Sequence, residues 1–240
     1  MIHRQRKDIR MTDTPATTPG TTVVFLLFPG ITQLDFTAPA QALSRMPGAR
    51  LAGAAANLDP IMTDSGFAIV PTHDFADAPQ ADILCIPGGH GVADALGDPA
   101  TIDFIVRQAA GAEWVTSVCT GAFLLGRAGL LDGKRATTHW GYTHLLPLVG
   151  AEPVKARVVE DGNVVTSGGV TSGLDFALTL IARLRGDAVA QAIQLAIEYD
   201  PAPPFPGGHP DRAPKAITAG LKEHVYDAAA ARMEAALTGG

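Results

Sequence analysis

The sequence predicts a doubly wound α/β fold, a mostly parallel sheet flanked by helices, and three observations carry that expectation. Continuous apolar runs such as Val23-Val-Phe-Leu-Leu-Phe28 close on glycine-bearing turns, as strands buried on both faces of a parallel sheet do. Such runs alternate with segments of helical spacing, the rhythm of βαβ units. Nearly half of the 240 residues, 47%, are apolar, enough for a sizeable core.

Taken in order, Val23 to Phe28 is the first strand, stopped by Pro29-Gly30. Leu34, Ala38, Ala42, Leu43 and Met46 then recur at helical spacing until Pro47-Gly48 ends the pattern. A small-residue strand, Leu51 to Ala56, precedes a hairpin over Ile61 to Val70 that turns at Asp64-Ser65-Gly66. Asp82 to Gly89 reads as a buried strand with a glycine turn, followed by helical sequence through Ala110 and a strand from Trp114 to Val118. Beyond these, the pattern predicts a helix from the Cys119 seam, another around Tyr142 to Val149, and a hairpin turning at Asp161-Gly162-Asn163. Helices follow over Thr171 to Arg185 and Asp187 to Tyr199, then a proline-rich loop over Pro201 to Gly208 and a last amphipathic helix, Ala216 to Leu237. Ser172-Gly-Leu-Asp175 has capping-box spacing, which assigns Asp175 to structure rather than to chemistry.

The expected organisation is a disordered leader over residues 1–20, one α/β domain over 21–208 and a helical extension over 209–240. The leader is basic at first and then rich in Thr, Pro and Gly, without the apolar segment of a signal peptide, and Met11 is as good a start as Met1. Two cysteines with no CxxC or Cys/His zinc spacing argue against a disulfide framework and a metal site, and point to a cytoplasmic location. A net charge of −6 argues against a nucleic-acid partner, and no apolar run reaches transmembrane length.

The chemistry is expected at Cys119, at the seam between an apolar strand and a Gly/Ala-rich helix start. Unpaired backbone N–H groups and the helix dipole favour an anion there, so the thiol is expected below its free pKa. Two further segments are expected to converge on it at the strand ends. Gly88 and Gly89 allow close backbone approach, and their N–H groups with that of Thr120 are expected to stabilise negative charge on a bound intermediate. Asp35, just past a buried strand, is expected to be poorly solvated and protonated near neutrality, able to pass that proton on. Bland readings stand beside these: Asp35 as a helix N-cap, Gly88-Gly89 as a strand-ending turn, His90 as a loop residue. Cys85 reads as a small buried apolar residue, His139 as a minor candidate that orients a loop, and Trp140 as packing or pocket wall.

Together Phe25 to Asp35, Cys85 to Gly89, Thr116 to Gly121, Gly133 to Trp140 and Glu198 to Phe205 resemble the DJ-1/PfpI superfamily of flavodoxin-like proteins, with the bacterial isocyanide hydratases the nearest likeness. That resemblance implies Cys119 as nucleophile, Asp35 as acid/base carboxyl and Thr120 as its neighbour at the helix start; Gly88, Gly89 and His90 are expected to bind the substrate. It implies attack of sulfur on an isocyanide to give a thioimidate, hydrolysed to an N-substituted formamide, with no metal or organic cofactor and with a homodimer as the assembly. Threonine at position 120, where protease-like relatives carry histidine, weakens a peptidase reading. Aspartate rather than glutamate at position 35 favours the hydratases over DJ-1-like proteins and glyoxalases. Two rivals remain: glyoxalase-like addition to a 2-oxoaldehyde, and a ligand or redox sensor that uses Cys119. AraC-like regulators of similar sequence append roughly a hundred residues of paired helix-turn-helix units, for which the stretch after Phe205 leaves no room.

Overall fold

A computed structural model describes residues 20–239, so the expected leader lies outside the described residues except for Gly20. The strands are β1 (Thr21–Leu26), β2 (Ala49–Ala55), β3 (Ile61–Met62), β4 (Ala68–Ile69), β5 (His73–Asp74), β6 (Ile83–Ile86), β7 (Trp114–Val118), β8 (Arg135–Ala136), β9 (Glu152–Pro153), β10 (Val158–Asp161) and β11 (Val164–Ser167). Seven of them form one sheet in the order β10-β11-β7-β6-β1-β2-β5. Only the β10–β11 pair is antiparallel; its neighbours are all joined in parallel. The helices are α1 (Gln33–Leu43), α2 (Val92–Ala95), α3 (Pro99–Gly111), α4 (Gly121–Arg127), α5 (Ser172–Arg185), α6 (Asp187–Ala196), α7 (Lys215–Leu221) and α8 (Asp227–Thr238).

The first strand shows why the sheet is buried on both sides. All six residues of β1 are buried, and alternate side chains enter different cores. Val23 and Phe25 join Leu43 of α1 and Phe176 and Leu180 of α5. Val24 and Leu26 join Phe104 and Ile105 of α3 and Phe123 and Leu124 of α4. The chain leaves β1 for β2 on one side and returns to β6 on the other, so the strand order reverses beside β1. In such a sheet the crevice outside the carboxyl ends of the strands at that reversal is where ligands bind.

Local departures have local causes. The helix expected over Tyr142 to Val149 is a 3₁₀ segment, Thr143–Val149, that contains Pro147, whose missing N–H removes a helical bond, and it ends on left-handed Gly150. The helix begun at Asp187 stops at Ala196, because Glu198 turns left-handed at φ 51°. Edge strand β5 and the parallel pair β8–β9 are too short, at two residues each, to show a period in sequence. The hairpin at Asp64-Ser65-Gly66 forms with a two-pair ladder, and that at Gly162 joins β10 to β11.

Ser172 and Asp175 do not form a capping box. The N-cap is Thr171, whose side chain makes no capping bond and instead accepts from the Arg157 guanidinium at 3.1 Å, and the buried Ser172 hydroxyl has no protein partner. Asp175 instead accepts from the Arg157 guanidinium at 2.5 Å and from the Tyr199 hydroxyl at 3.2 Å, so an ion pair took the carboxylate that the motif reserved for the backbone. The last helix is likewise not one amphipathic rod: a π-helical turn, Lys222–Tyr226, divides α7 from α8, and α7 buries no residue.

Candidate active site

Cys119 follows β7 directly and adopts φ 55°, a left-handed conformation uncommon outside glycine. The surroundings hold it there. Its N–H donates to the carbonyls of Ser167, 3.1 Å, the last residue of the neighbouring β11, and of Gly168, 2.8 Å, just past it. Its carbonyl accepts from the Thr138 hydroxyl at 2.7 Å. The helix that begins at Gly121 sits so close to β6 that a Cβ there would lie 2.2 Å from the Ile86 carbonyl oxygen, so only glycine fits. The sharp turn leaves the sulfur at the strand ends with 6% of the residue exposed.

Asp35 arrives from the first turn of α1 and is fully buried. It is the third residue of that helix, with Thr32 at the N-cap position, so the N-cap reading does not hold. Its Oδ2 accepts from the Gly88 N–H at 3.0 Å, whereas its buried Oδ1 meets no hydrogen-bond partner of good geometry. The carboxyl and the Cys119 thiol are within hydrogen-bonding reach of each other. Burial pushes the Asp35 carboxyl from 3.8 up to about 7, the Gly88 bond opposing and the nearby Asp64 charge reinforcing the shift.

The same burial overturns the expectation of a thiol below its free pKa. Desolvation pushes Cys119 well above its ordinary value of 9.0, and the Asp35 charge adds to the shift. Hydrogen bonds from the Thr120 N–H and hydroxyl oppose it without prevailing. The physical reason is position: α4 is only seven residues long and the sulfur is out of water, so the cost of a buried anion exceeds what one short helix returns. The shift favours the protonated thiol at neutral pH.

The glycine loop also does something other than expected. Rather than presenting free N–H groups to an intermediate, it binds the two side chains that flank the thiol. Gly88 donates to Asp35, and Gly89 donates to the Thr120 Oγ1 at 3.0 Å. The Thr120 hydroxyl has one proton to place, on the Gly89 carbonyl at 3.3 Å or toward the sulfur. A Cβ on Gly88 would lie 2.6 Å from Thr120 N and 3.0 Å from Asp35 Oδ2, so glycine is required for this approach. Of the expected site residues, Asp35, Gly88, Gly89, Cys119 and Thr120 come together, whereas His90 is exposed and lies over Gly30. Cys85 is buried inside β6 and raised to about 12, an inert position.

Sequence reading missed several neighbours, because nothing in local spacing reveals what meets across the fold. Thr138 and Gly168 hold the Cys119 backbone, as described above. His139 belongs to an aromatic group with Trp140, Tyr142 and Tyr226 at centroid distances of 5.7, 5.8 and 5.0 Å. Its Nδ1 accepts from the Gly141 N–H, and burial lowers it from 6.5 to about 4, so the ring is neutral. His144, by contrast, is exposed. Two open clefts of about 420 and 360 Å³ are lined by neither Cys119 nor Asp35. Among the described residues no group of three or more His, Cys, Asp or Glu is placed to hold a metal, and no helix is long and apolar enough to cross a membrane.

A doubly wound sheet with a left-handed cysteine at a strand-to-helix elbow, set against a buried carboxyl, defines a class of flavodoxin-like α/β proteins built around one thiol. The chain belongs to the DJ-1/PfpI family, whose model matches residues 21–183. It is 53% identical over 193 residues, 80% of this chain and 85% of the relative, to the isonitrile hydratase of Pseudomonas putida. It is 31% identical over 144 residues to the HTH-type transcriptional regulator GbdR of Pseudomonas aeruginosa, covering 58% of this chain and 38% of that one. Among solved structures, a THiJ/PfpI family protein from Pseudomonas syringae superposes with a TM-score of 0.90 at 37% identity over 98% of both chains. Drosophila melanogaster DJ-1beta superposes at 0.64 with 25% identity, over 75% of this chain and 98% of that one.

Proposed function

We propose that the protein hydrates isocyanides to N-substituted formamides through a covalent thioimidate on Cys119, with Asp35 as the proton carrier. The likeness to an isonitrile hydratase supports the reaction class. The observation that carries the mechanism is the buried Asp35 carboxyl, with one oxygen unpartnered, lying against the Cys119 thiol.

With its pKa near 7 the carboxyl is available in either protonation state at neutral pH, the condition under which proton transfer is most effective. As the isocyanide's terminal carbon approaches the sulfur, Asp35 takes the thiol proton and the C–S bond forms. Asp35 then gives that proton to the same carbon, which leaves R–N=CH–S–Cys119. Water adds to this carbon and one of its protons reaches the nitrogen. The C–S bond breaks, the sulfur regains a proton, and R–NH–CHO departs, so that one isocyanide and one water are consumed. No cofactor is needed for this balance. Thr120 and the glycine loop act by holding the thiol and carboxyl in register, since Gly88 and Gly89 spend their N–H groups on Asp35 and Thr120.

Against the sensor rival, a desolvated thiol raised above its ordinary value is a poor target for peroxide, which reacts with exposed thiolates. A homodimer in the cytoplasm, with no nucleic-acid or membrane partner, completes the proposal. The test is incubation with an aryl isocyanide and, separately, methylglyoxal, with mass spectrometry of protein quenched during turnover. Formamide together with an isocyanide-mass adduct on the Cys119 peptide is the expected result. Lactate without formamide gives the glyoxalase reading instead, and peroxide-driven oxidation of Cys119 without turnover of either compound gives the sensor.

A further inference from the structure

The helical run from Lys215 to Thr238 is held at one end only. α8 is anchored: Ala230 and Met233 are buried in the core, Arg232 pairs with Asp94 of α2, and the Arg127 guanidinium donates to the Ala236 carbonyl. α7 buries nothing and leaves Ile217 and Leu221 exposed. Between them lies the π-helical turn, a rare feature that shifts the phase of a helix and is frequent at functional sites. Of its five residues four are exposed, and only Tyr226 turns inward.

The Tyr226 ring packs on Gly141, where a Cβ would come within 2.9 Å of its Cγ. It stands 4.9 Å from Trp140, 5.0 Å from His139 and 5.9 Å from Tyr142, nearly edge-to-face with Trp140 and Tyr142. This surface borders the thiol. Thr138, next to His139, holds the Cys119 carbonyl, and the His139 ring lies against Gly169, whose neighbour Gly168 accepts the Cys119 N–H. The phenols of Tyr142 and Tyr226 are both raised, first by burial and then by electrostatic coupling to the Cys119 thiol, so both rings share its surroundings. His139 is neutral, which makes the wall uncharged and aromatic.

We propose that Tyr226, delivered by the π-helical turn, is a specificity-determining residue whose ring, with His139, Trp140 and Tyr142, receives the aromatic substituent of an aryl isocyanide. The identity of the substrate rests on the hydratase reading; the position of the wall beside Cys119 does not. An added ring finds edge-to-face partners there, whereas a compact alkyl group finds none.

The test compares formamide production from phenyl isocyanide and tert-butyl isocyanide by wild type, Tyr226→Ala and Tyr226→Phe. The ratio of kcat/KM for the aryl over the alkyl substrate should fall about tenfold in Tyr226→Ala, as expected for one lost ring contact, with KM carrying most of the change, and Tyr226→Phe should restore it. Gly141→Ala, whose added Cβ would meet the same ring at 2.9 Å, should lower the ratio too and serves if Tyr226→Ala does not fold. In parallel, Cys119 is alkylated with iodoacetanilide and iodoacetamide; wild type should favour the aryl reagent and Tyr226→Ala should lose that preference. A selectivity ratio untouched by both variants overturns the proposal. If wild type makes formamide from neither isocyanide, the hydratase reading fails, and the alkylation preference alone upholds or overturns the aromatic wall.

Discussion

Replacing Asp35 with asparagine should change how stability depends on pH. The carboxyl titrates near 3.8 in the open chain and at about 7 in the folded protein. Between those values the native state binds a proton that the unfolded chain has released, so folding stability is greatest below pH ~4 and falls as pH rises through about 7. A shift of roughly three pH units at about 1.4 kcal/mol each makes the ionised, buried carboxylate about 4 kcal/mol costly at pH 8. Cys119 stays protonated across this window in both states and contributes nothing to the slope. The measurement is urea unfolding of wild type and Asp35→Asn at several pH values from 4 to 8. Other titrating groups cancel in the difference, so wild type should lose about 4 kcal/mol relative to the variant across that range, or roughly 8–16 °C in melting temperature for a chain of this size. A difference that stays flat from pH 4 to 8 would mean that the carboxylate is solvated, and the proton-carrier role would lose its physical basis.

Other outcomes follow from the same geometry. Turnover should depend on a single proton shared by Asp35 and Cys119, so kcat/KM should rise with pH along a one-proton limb centred at about 7 and hold to well above pH 8; an acid limb near pH 4 would contradict this. Cys119→Ala should abolish turnover with the fold intact by circular dichroism, and Cys119→Gly should be more stable than Cys119→Ala by about 1 kcal/mol, because the position is left-handed. Equal stability of the two variants would remove the case for strain at the elbow. Gly88→Ala should lower kcat on the order of a hundredfold, since its Cβ would separate Asp35 from Thr120, and normal kinetics would show that the loop yields without consequence.

The parallel sheet was legible because β1, β6 and β7 are buried on both faces and therefore read as unbroken apolar runs closed by turns. The meeting of Asp35 with Cys119 was legible because each stands just beyond a strand, and strand ends share one rim of the sheet. What local reading could not supply were effects that depend on burial depth and on partners distant in sequence. The lowered thiol pKa was argued from a helix dipole, a local property, and failed against desolvation, which is set by the whole fold. Gly88 and Gly89 do lie beside Asp35 and Thr120, but their N–H groups are taken by those two side chains, partners separated from them by 53 and 31 residues. Tyr226 left no signal, because a π-turn is an irregularity in helical phase and its target, the small Gly141, is 85 positions away.

The raised thiol and the raised carboxyl are better understood as one titrating unit than as two. A sulfur held ionised in this buried position would need a countercharge beside it, and none of the groups that set its pKa is a cation: Asp35 is acidic and Thr120 offers only hydrogen bonds. The arrangement instead confines one mobile proton between two acids that are both buried from bulk solvent. Whether that proton sits on sulfur or on oxygen, the total charge of the pair is the same, so moving it during attack requires no further charge to be buried. The desolvation that opposes a free thiolate thereby keeps the proton close to the carbon that must receive it. An exposed thiolate would be the stronger nucleophile in water, but its proton would already have been lost to solvent, and the carbon of an isocyanide needs both.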